Sequence, residues 1–179
     1  LASTTATTTA NITVRTLTVT YTPVNKTYDG TTSATGGTVG DNRVSGDILS
    51  VTGTPTFATK TVGTGKTVTY ASIAISGTDS ANYSLASTTA TGTANITART
   101  LTIVGTYTAS NRAYDGTTDA TGNVSVPASP TLSGIQASDV VSLTGTPSFT
   151  FAQSTVGTSI PITTSGYSLT GADAGNYTL

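Results

Sequence analysis

One stretch of about twenty residues occurs twice in the chain and sets its organisation. Leu85–Ile103 reads LASTTATGTANITARTLTI, and Leu1–Val19 reads LASTTATTTANITVRTLTV. In both copies threonine alternates with small or apolar residues, which is the period-two pattern of a β-strand with one face toward a core. A second copy of so specific a segment indicates tandem repeats.

The rest of the chain repeats in the same way. The offset between copies grows from 84 residues at the first block to 94 at the last, so the insertions in the second copy fall between the blocks, where surface loops are expected. The other matched blocks are Lys26–Gly36 with Arg112–Gly122, Gly46–Phe57 with Ser138–Phe149, and Gly77–Leu85 with Gly171–Leu179.

A change in the strand alternation predicts where one unit ends. Ile12 and Val14 have even numbers, whereas Leu17, Val19 and Tyr21 have odd ones, and the same change separates Ile96 from Leu101. Such a change turns the apolar side chains to the other face of a strand, as expected where the chain leaves one core and enters the next. A β-bulge inside one long strand would produce the same change.

These boundaries, near Arg15 and Arg99, leave a strand over at one end and one missing at the other. We predict residues 1–14 as the last strand of a preceding repeat, 15–98 as the first unit, and 99–179 as a second unit without its final strand. Residues 1–14 are then expected either to pair with the first unit or to complement the open edge of a neighbouring molecule's second unit.

Short strands at roughly ten-residue spacing, with turns rich in glycine and asparagine, predict an all-β fold. We expect two tandem Ig-like β-sandwich units; the alternative is a β-grasp-like two-layer unit with one short helix each, after the YDG segment. GTDSANYSL and GADAGNYTL look like the tyrosine corner of Ig folds, with a single helical turn before a buried tyrosine. The corner residues are Asp79, Asn82 and Tyr83, and Asp173, Asn176 and Tyr177.

The YDG tripeptide is the most similar core of the repeat. It has two interpretations: a binding tip made of an aromatic ring and a carboxylate, or a turn in which Asp-Gly supplies an acceptor and a positive φ while the tyrosine packs inward. We favour the turn. Lys26 and Arg112 precede the tyrosines by two residues, so each cation is placed to face the YDG carboxylate. The two copies are Tyr28, Asp29 and Gly30, and Tyr114, Asp115 and Gly116.

Composition excludes several classes of function. The chain has 46 threonines and 20 serines among 179 residues but no histidine, cysteine or glutamate, so Ser-His-Asp or Cys-His catalysis and the usual zinc sites are excluded. The eight aspartates do not form the closely spaced run of a Ca²⁺ loop. With a net charge of −1 and no apolar run long enough to span a bilayer, we expect neither nucleic-acid binding nor membrane insertion. We assign no catalytic, cofactor-binding or metal-binding residue.

The combined pattern resembles the YDG/MBG-type repeat of bacterial surface proteins. The resemblance spans the chain in two units: basic-x-Tyr-Asp-Gly-Thr-Thr, then Val-Gly-Thr at Val62–Thr64 and Val156–Thr158, then Gly-x-Asp-x-x-Asn-Tyr-x-Leu. In that family such repeats occur in tandem in large exported proteins, including filamentous-haemagglutinin-like adhesins. Lys60 and Lys66 have no lysine counterparts in the second unit, so a lysine-dependent feature is not general to the repeats.

The resemblance implies a stalk or spacer role at the bacterial cell surface, without catalysis. Neighbouring repeats of the same chain are the implied partners, and a host-surface or matrix ligand would be bound through other domains. The short junction at Arg99–Thr100, poor in glycine and proline, predicts a stiff pair of units. The competing hypothesis is that the repeats themselves bind a host glycan or protein.

Overall fold

The computed structural model describes residues 7–179, and this part of the chain is all-β, as the sequence predicts. Short strands dominate, and the helical elements in the described range are three single 3₁₀ turns, at Ser80–Asn82, Thr121–Asn123 and Ala174–Asn176. The first and third are the helical turns expected before the corner tyrosines. None of the helices in this range is long and apolar enough to cross a membrane.

The strands of the first repeat form one larger sheet and two smaller pairs. They are β1 (Arg15–Leu17), β2 (Val19–Thr22), β3 (Lys26–Thr27), β4 (Thr38–Asp41), β5 (Ser50–Phe57), β6 (Gly63–Ser76), β7 (Tyr83–Leu85) and β8 (Ala90–Thr97). The larger sheet has the order β3-β8-β6-β5, β2 pairs with β4 antiparallel, and β1 pairs with β7 parallel. The long final strand β8 thus lies inside its sheet rather than at an edge.

The second repeat forms two-stranded pairs. Its strands are β9 (Arg99–Thr100), β10 (Thr102–Val104), β11 (Thr108–Ala109), β12 (Val124–Ser125), β13 (Thr131–Ser133), β14 (Ser142–Thr144), β15 (Ser148–Phe151), β16 (Ile162–Ser165), β17 (Ser168–Thr170) and β18 (Tyr177–Thr178). The antiparallel pairs are β10-β13, β11-β12, β14-β17 and β15-β16. β9 pairs with β18 parallel, which places Arg99 opposite Tyr177 just as Arg15 lies opposite Tyr83.

The chain divides into two compact units that do not coincide with the two repeats. The first unit comprises the described chain through Lys26 with Thr32–Thr59 and Thr64–Asn95; the second comprises Ile96–Leu179 with Thr27–Thr31 and Lys60–Gly63. The YDG loop of the first repeat therefore belongs to the second compact unit. The Ig-like arrangement of the units stays a prediction.

The cores are small and rich in tyrosine. In the first unit the rings of Tyr21 and Tyr70 stack at 4.9 Å between centroids, and Leu17 and Val68 are fully buried. Threonine occupies the opposite, solvent-facing positions: β5 alternates exposed and covered residues along its length until Phe57, which is buried. In a core this thin, aromatic rings supply much of the buried apolar area that aliphatic side chains supply in larger cores.

The N-terminal segment does not behave as a strand of the first unit. Residues 7–14 have no regular secondary structure and are exposed, and Ile12 is fully so. The expectation that residues 1–14 pair with the first unit is therefore wrong for this part, because their apolar side chains find no core there. Residues 1–6 lie outside the described range.

Two equivalent glycines are required by close backbone approach before the corner motif. Gly77 and Gly171 both have φ +115°, and a Cβ at either would lie 2.4 Å from the carbonyl oxygen of Ile48 or 2.3 Å from that of Val140. Both carbonyl oxygens are held in place, because the N–H groups of Asp79 and Asp173 donate to them, so both the conformation and the contact exclude a side chain.

Gly77→Ala should lower the free energy of unfolding by about 2–4 kcal/mol, because it adds a backbone clash to an unfavourable φ. Gly46→Ala is the matched control: Gly46 has φ +99° with no atom within 4 Å of its would-be Cβ, and its counterpart Ser138 tolerates φ +77°. This control should lower the free energy of unfolding by only about 1 kcal/mol. Urea denaturation followed by tyrosine fluorescence measures both, and equal losses would contradict the clash.

Candidate functional site

Both YDG loops form the same side-chain-closed turn. The Asp29 Oδ1 accepts hydrogen bonds from the backbone N–H and the hydroxyl of Thr31, both at 2.9 Å, and Gly30 follows with φ +77°. Asp115 repeats the arrangement: its Oδ1 accepts from the N–H of Thr117 at 2.9 Å and from its hydroxyl at 3.0 Å. The aspartate here closes a turn, which is the role that Asp-Gly chemistry favours.

The tyrosines of the two YDG loops have opposite environments. Tyr28 is fully buried, whereas Tyr114 is 68 % exposed. The Tyr28 ring packs edge-on against Tyr177 at 5.4 Å, and its hydroxyl donates to the Asp139 Oδ2 at 2.8 Å. The expectation that the YDG tyrosine packs inward thus holds for Tyr28 but is wrong for Tyr114, which lines an open groove instead.

Asp139 is the buried centre of a hydrogen-bond network in the second unit, the aspartate lock (Tyr28, Lys60, Asp139 and Tyr177), in which only Lys60 reaches the surface. Its Oδ2 accepts from the hydroxyls of Tyr28 at 2.8 Å and Tyr177 at 2.6 Å, and its Oδ1 lies 3.3 Å from the Lys60 ammonium. The Asp139 side chain is 2 % exposed. A carboxylate this deeply buried is tolerated because every donor around it favours the charged form.

The lock shifts the pKa values of its members in opposite directions. The hydrogen bond from Tyr177 is the main cause that lowers the pKa of Asp139 below its ordinary range, against the opposing effect of burial. Burial, followed by the hydrogen bond to Asp139, raises the pKa of Tyr177 to about 12. At neutral pH the site therefore holds one carboxylate, two neutral phenols and one ammonium.

The first unit contains a reduced version of the same arrangement. The Tyr83 hydroxyl donates to the Asp47 Oδ2 at 2.5 Å and accepts from the Val44 N–H at 2.9 Å. In the second unit the Tyr177 hydroxyl accepts in the same way from the Gln136 N–H at 3.0 Å. Asp47 is the counterpart of Asp139, but no YDG tyrosine reaches it among the described residues.

The corner motif works over a longer range than the sequence comparison implied. In Ig folds the tyrosine hydroxyl bonds to backbone a few residues upstream, whereas Tyr83 and Tyr177 bond to backbone 39 and 41 residues away. The motif aspartates act likewise: Asp79 accepts from the Ile48 N–H at 2.8 Å and Asp173 from the Val140 N–H at 2.9 Å. The motif therefore ties its turn to a distant loop.

The two corner asparagines differ as the two YDG tyrosines do. Asn176 is 6 % exposed, and its Oδ1 accepts from the Val62 N–H at 3.0 Å. Asn82 is exposed, with its own N–H bonded to the Asp79 carbonyl at 3.0 Å. Burial of the asparagine thus coincides with the presence of the Lys60–Gly63 segment in the second unit.

The cations before the YDG tyrosines stack on equivalent phenylalanines. The Arg112 guanidinium lies 4.8 Å from the Phe151 ring centre and forms an ion pair with Asp115 at 2.9 Å, as expected for a cation facing the YDG carboxylate. The Lys26 ammonium lies 5.3 Å from the Phe57 ring centre. Each of these cation–π contacts joins the residue before a YDG tyrosine to an aromatic ring of the same repeat.

The sequence analysis assigned no role to Asp47 or Asp139, and it noted Lys60 only as a lysine without a counterpart in the second repeat. The signal was present: Asp47 and Asp139 occupy the same place in the repeated block GDILSVTGTPTF and SDVVSLTGTPSF. What no pattern reveals is that their partners lie far along the chain. The described residues hold no cluster of three acidic side chains fit for a metal ion.

Tyr28→Phe should lower the free energy of unfolding of the second unit by about 1–3 kcal/mol, because the buried carboxylate loses a hydrogen-bond donor. Tyr114→Phe removes the same hydroxyl from the equivalent exposed residue and should change it by no more than about 0.5 kcal/mol. Urea denaturation in dilute solution measures both variants. Similar losses would mean that the Tyr28 hydroxyl contributes nothing beyond its ring.

Acid should weaken the second unit through Asp139. A carboxyl whose pKa is lower folded than unfolded stabilises the fold above its unfolded pKa of about 3.9, and that contribution is lost as the pH falls through the folded value. Unfolding free energies measured between about pH 7 and pH 2 should therefore fall less steeply for Asp139→Asn than for the natural sequence. Parallel profiles would show that Asp139 does not carry the acid sensitivity.

Comparison with known proteins agrees with the internal repeat. The family model of the YDG domain matches residues 3–91 and again residues 97–179. No curated protein and no solved structure matches the chain. Since the two matches cover nearly the whole sequence, the chain belongs to the YDG domain family and carries two tandem copies of that domain.

Proposed function

We propose that these YDG domains are structural spacers of a large exported bacterial surface protein, which hold a distal binding region away from the cell. The single observation that carries this proposal is the aspartate lock. Tyr28 and Lys60 belong to the first repeat by sequence, yet they complete the core of the second compact unit. Repeats that complete one another in this way gain stability from their neighbours, as a long tandem array requires.

The polar chemistry of the chain is consistent with a spacer. The YDG aspartates close their own turns, the corner aspartates hold distant loops, and Asp139 is saturated by tyrosine and lysine donors. Threonine covers the solvent face of the strands. Such a surface is polar without carrying much charge, which suits a structure that stays hydrated over many copies.

A second candidate function is ligand binding by the repeats themselves. The observation that favours it is Tyr114, which stands 68 % exposed at a groove that also includes Gln153. Exposed aromatic rings beside amide groups are typical of carbohydrate contacts. Arg112 at the same groove forms an ion pair with Asp115 and a cation–π contact with Phe151.

Surface display distinguishes the two functions. One, two or four copies of the chain would be placed between a membrane anchor and a reporter domain of known ligand, on cells coated with a polymer brush. A spacer predicts that capture of ligand-coated beads rises with copy number, because longer arrays extend the reporter past the brush. Capture that is independent of copy number would contradict the spacer role.

The control is the same array without the reporter. The spacer role predicts no capture of host cells or glycan-coated beads by that array. Capture that disappears with Tyr114→Ala would instead establish ligand binding at the groove of the second repeat.

A further inference from the structure

The second repeat contains an open groove beside its YDG loop. The groove has a volume of about 560 Å³ and lies between the segments 109–114 and 153–160, with Phe151 and Ile162 also lining it. Its walls are short of regular structure: neither Arg112–Ala113 nor residues 157–161 form strands. The groove therefore combines apolar side chains with backbone that lies outside the regular strands.

The equivalent region of the first repeat is filled by a strand. There β8 lies between β3 and β6, and its Ala94 and Ile96 are 5 % and 1 % exposed. Asn95 fastens the strand in the first unit: its N–H donates to the Asn25 Oδ1 at 2.7 Å, and its Oδ1 accepts from the Gly65 N–H at 2.8 Å. The counterparts of Asn25 and Gly65 are Asn111 and Ser159, and both line the groove.

Core residues next to the groove are more exposed than the equivalent residues of the first repeat. In the structure Phe151, rather than the Phe149 of the matched sequence block, takes the place of Phe57, because their N–H groups donate to the equivalent carbonyls of Thr118 and Thr32. Val68 and Phe57 are 0 % and 3 % exposed in the first unit, whereas Ile162 and Phe151 are only half-buried. Since the two pairs are similar in kind and size, the difference reflects the strand that covers one pair and not the other.

The chain carries a second segment with the sequence of β8. Thr7–Thr13 reads TTTANIT, and Thr91–Thr97 reads TGTANIT. Residues 7–13 are exposed and form no strand, and Ile12, the counterpart of the buried Ile96, is fully exposed. An exposed copy of the β8 sequence and an open groove at the place that β8 fills in the first repeat thus occur in the same molecule.

We propose that the groove of the second repeat binds residues Thr7–Thr13 of a second copy of this chain as an added β-strand. Ile12 takes the position of Ile96, and Asn11 bonds to Asn111 and Ser159 as Asn95 bonds to Asn25 and Gly65. Backbone pairing supplies binding strength and the buried alternate side chains supply register.

The one difference between the two strand sequences is matched by a difference in the groove. A Cβ at Gly92 would lie 2.4 Å from the Pro23 ring and 2.8 Å from the Tyr21 carbonyl oxygen. In the second repeat the counterpart of Pro23 is Ala109, which has no ring, so Thr8 loses the closest of these clashes. The second contact is to backbone, so Thr8 fits only if the carbonyl of Tyr107, the counterpart of Tyr21, moves; Tyr107 lies outside the regular strands.

The same docking brings two further sets of residues together. Tyr28 bonds to Asp139 and the Val62 N–H bonds to Asn176 within the second unit. Their counterparts are Tyr114 and Val156, which are 68 % and 84 % exposed. In the proposed complex Tyr114 donates to Asp47 of the second copy, and the Val156 N–H donates to its Asn82. These two residues are the counterparts of the acceptors Asp139 and Asn176.

These contacts share one register, because each pairs a residue of the second repeat with the first-repeat residue of the second copy that the sequence repeat assigns to it. The surfaces differ on the two partners, which makes the association head-to-tail and extends it into rows of molecules. The proposal concerns the 179-residue chain alone and does not depend on a spacer role.

Sedimentation velocity of the chain over a range of concentrations tests the association. We expect growth beyond the monomer as concentration rises, and Ile12→Asp should weaken it by at least about 30-fold because a charge replaces the apolar anchor. Val104→Asp is the control: this valine is 48 % exposed on β10, outside the groove, and the variant should associate normally. Tyr114→Phe should weaken association by about tenfold, as it removes the donor to Asp47.

A self-completed variant supplies the second test. Appending the residues of Ala86–Ala98, ASTTATGTANITA, after Leu179 continues the second repeat as the first repeat continues after Leu85. The appended strand should fill the groove within the same molecule, abolish association and raise the melting temperature. A chain that remains monomeric at the highest concentration, or an association that survives either Ile12→Asp or the appended strand, overturns the proposal.

Discussion

The buried carboxylate of Asp139 is the constraint on which the second unit depends. A charge that is 2 % exposed is tolerable only when donors surround it, and two tyrosine hydroxyls and the Lys60 ammonium supply them. Two of these donors come from the first repeat. The cost of burying one charge therefore makes the second unit dependent on segments more than seventy residues upstream in the chain.

This dependence explains why two repeats of closely similar sequence are not equivalent in structure. Tyr28 and Tyr114 stand in the same motif, but one is buried and the other is 68 % exposed. The same holds for Asn176 and Asn82. In each pair the buried member has a partner segment and the exposed member has none among the described residues, so the local sequence builds the turn while the neighbouring segment decides its burial.

The sequence predicted much of the fold from particular residues. Threonine alternation located the strands, Asp-Gly located the two turns closed by Asp29 and Asp115, and the corner motif located the 3₁₀ turns at Ser80–Asn82 and Ala174–Asn176. These features depend on hydrogen bonds and side-chain periods that span a few residues. The prediction was wrong for Tyr114 and for the pairing of residues 7–14 with the first unit, because burial there requires a partner distant in the chain.

The sequence by itself determined the repeat, the all-β class and the chemistry excluded by the missing histidine, cysteine and glutamate, because these depend on composition and local order alone. The tertiary structure decided that Asp139 collects Tyr28 and Lys60, and that β8 fills a gap which stays open in the second repeat. A carboxylate has no local signature for the donors that will surround it. Its partners are chosen by how the chain packs, since only packing removes water and makes each hydrogen bond obligatory.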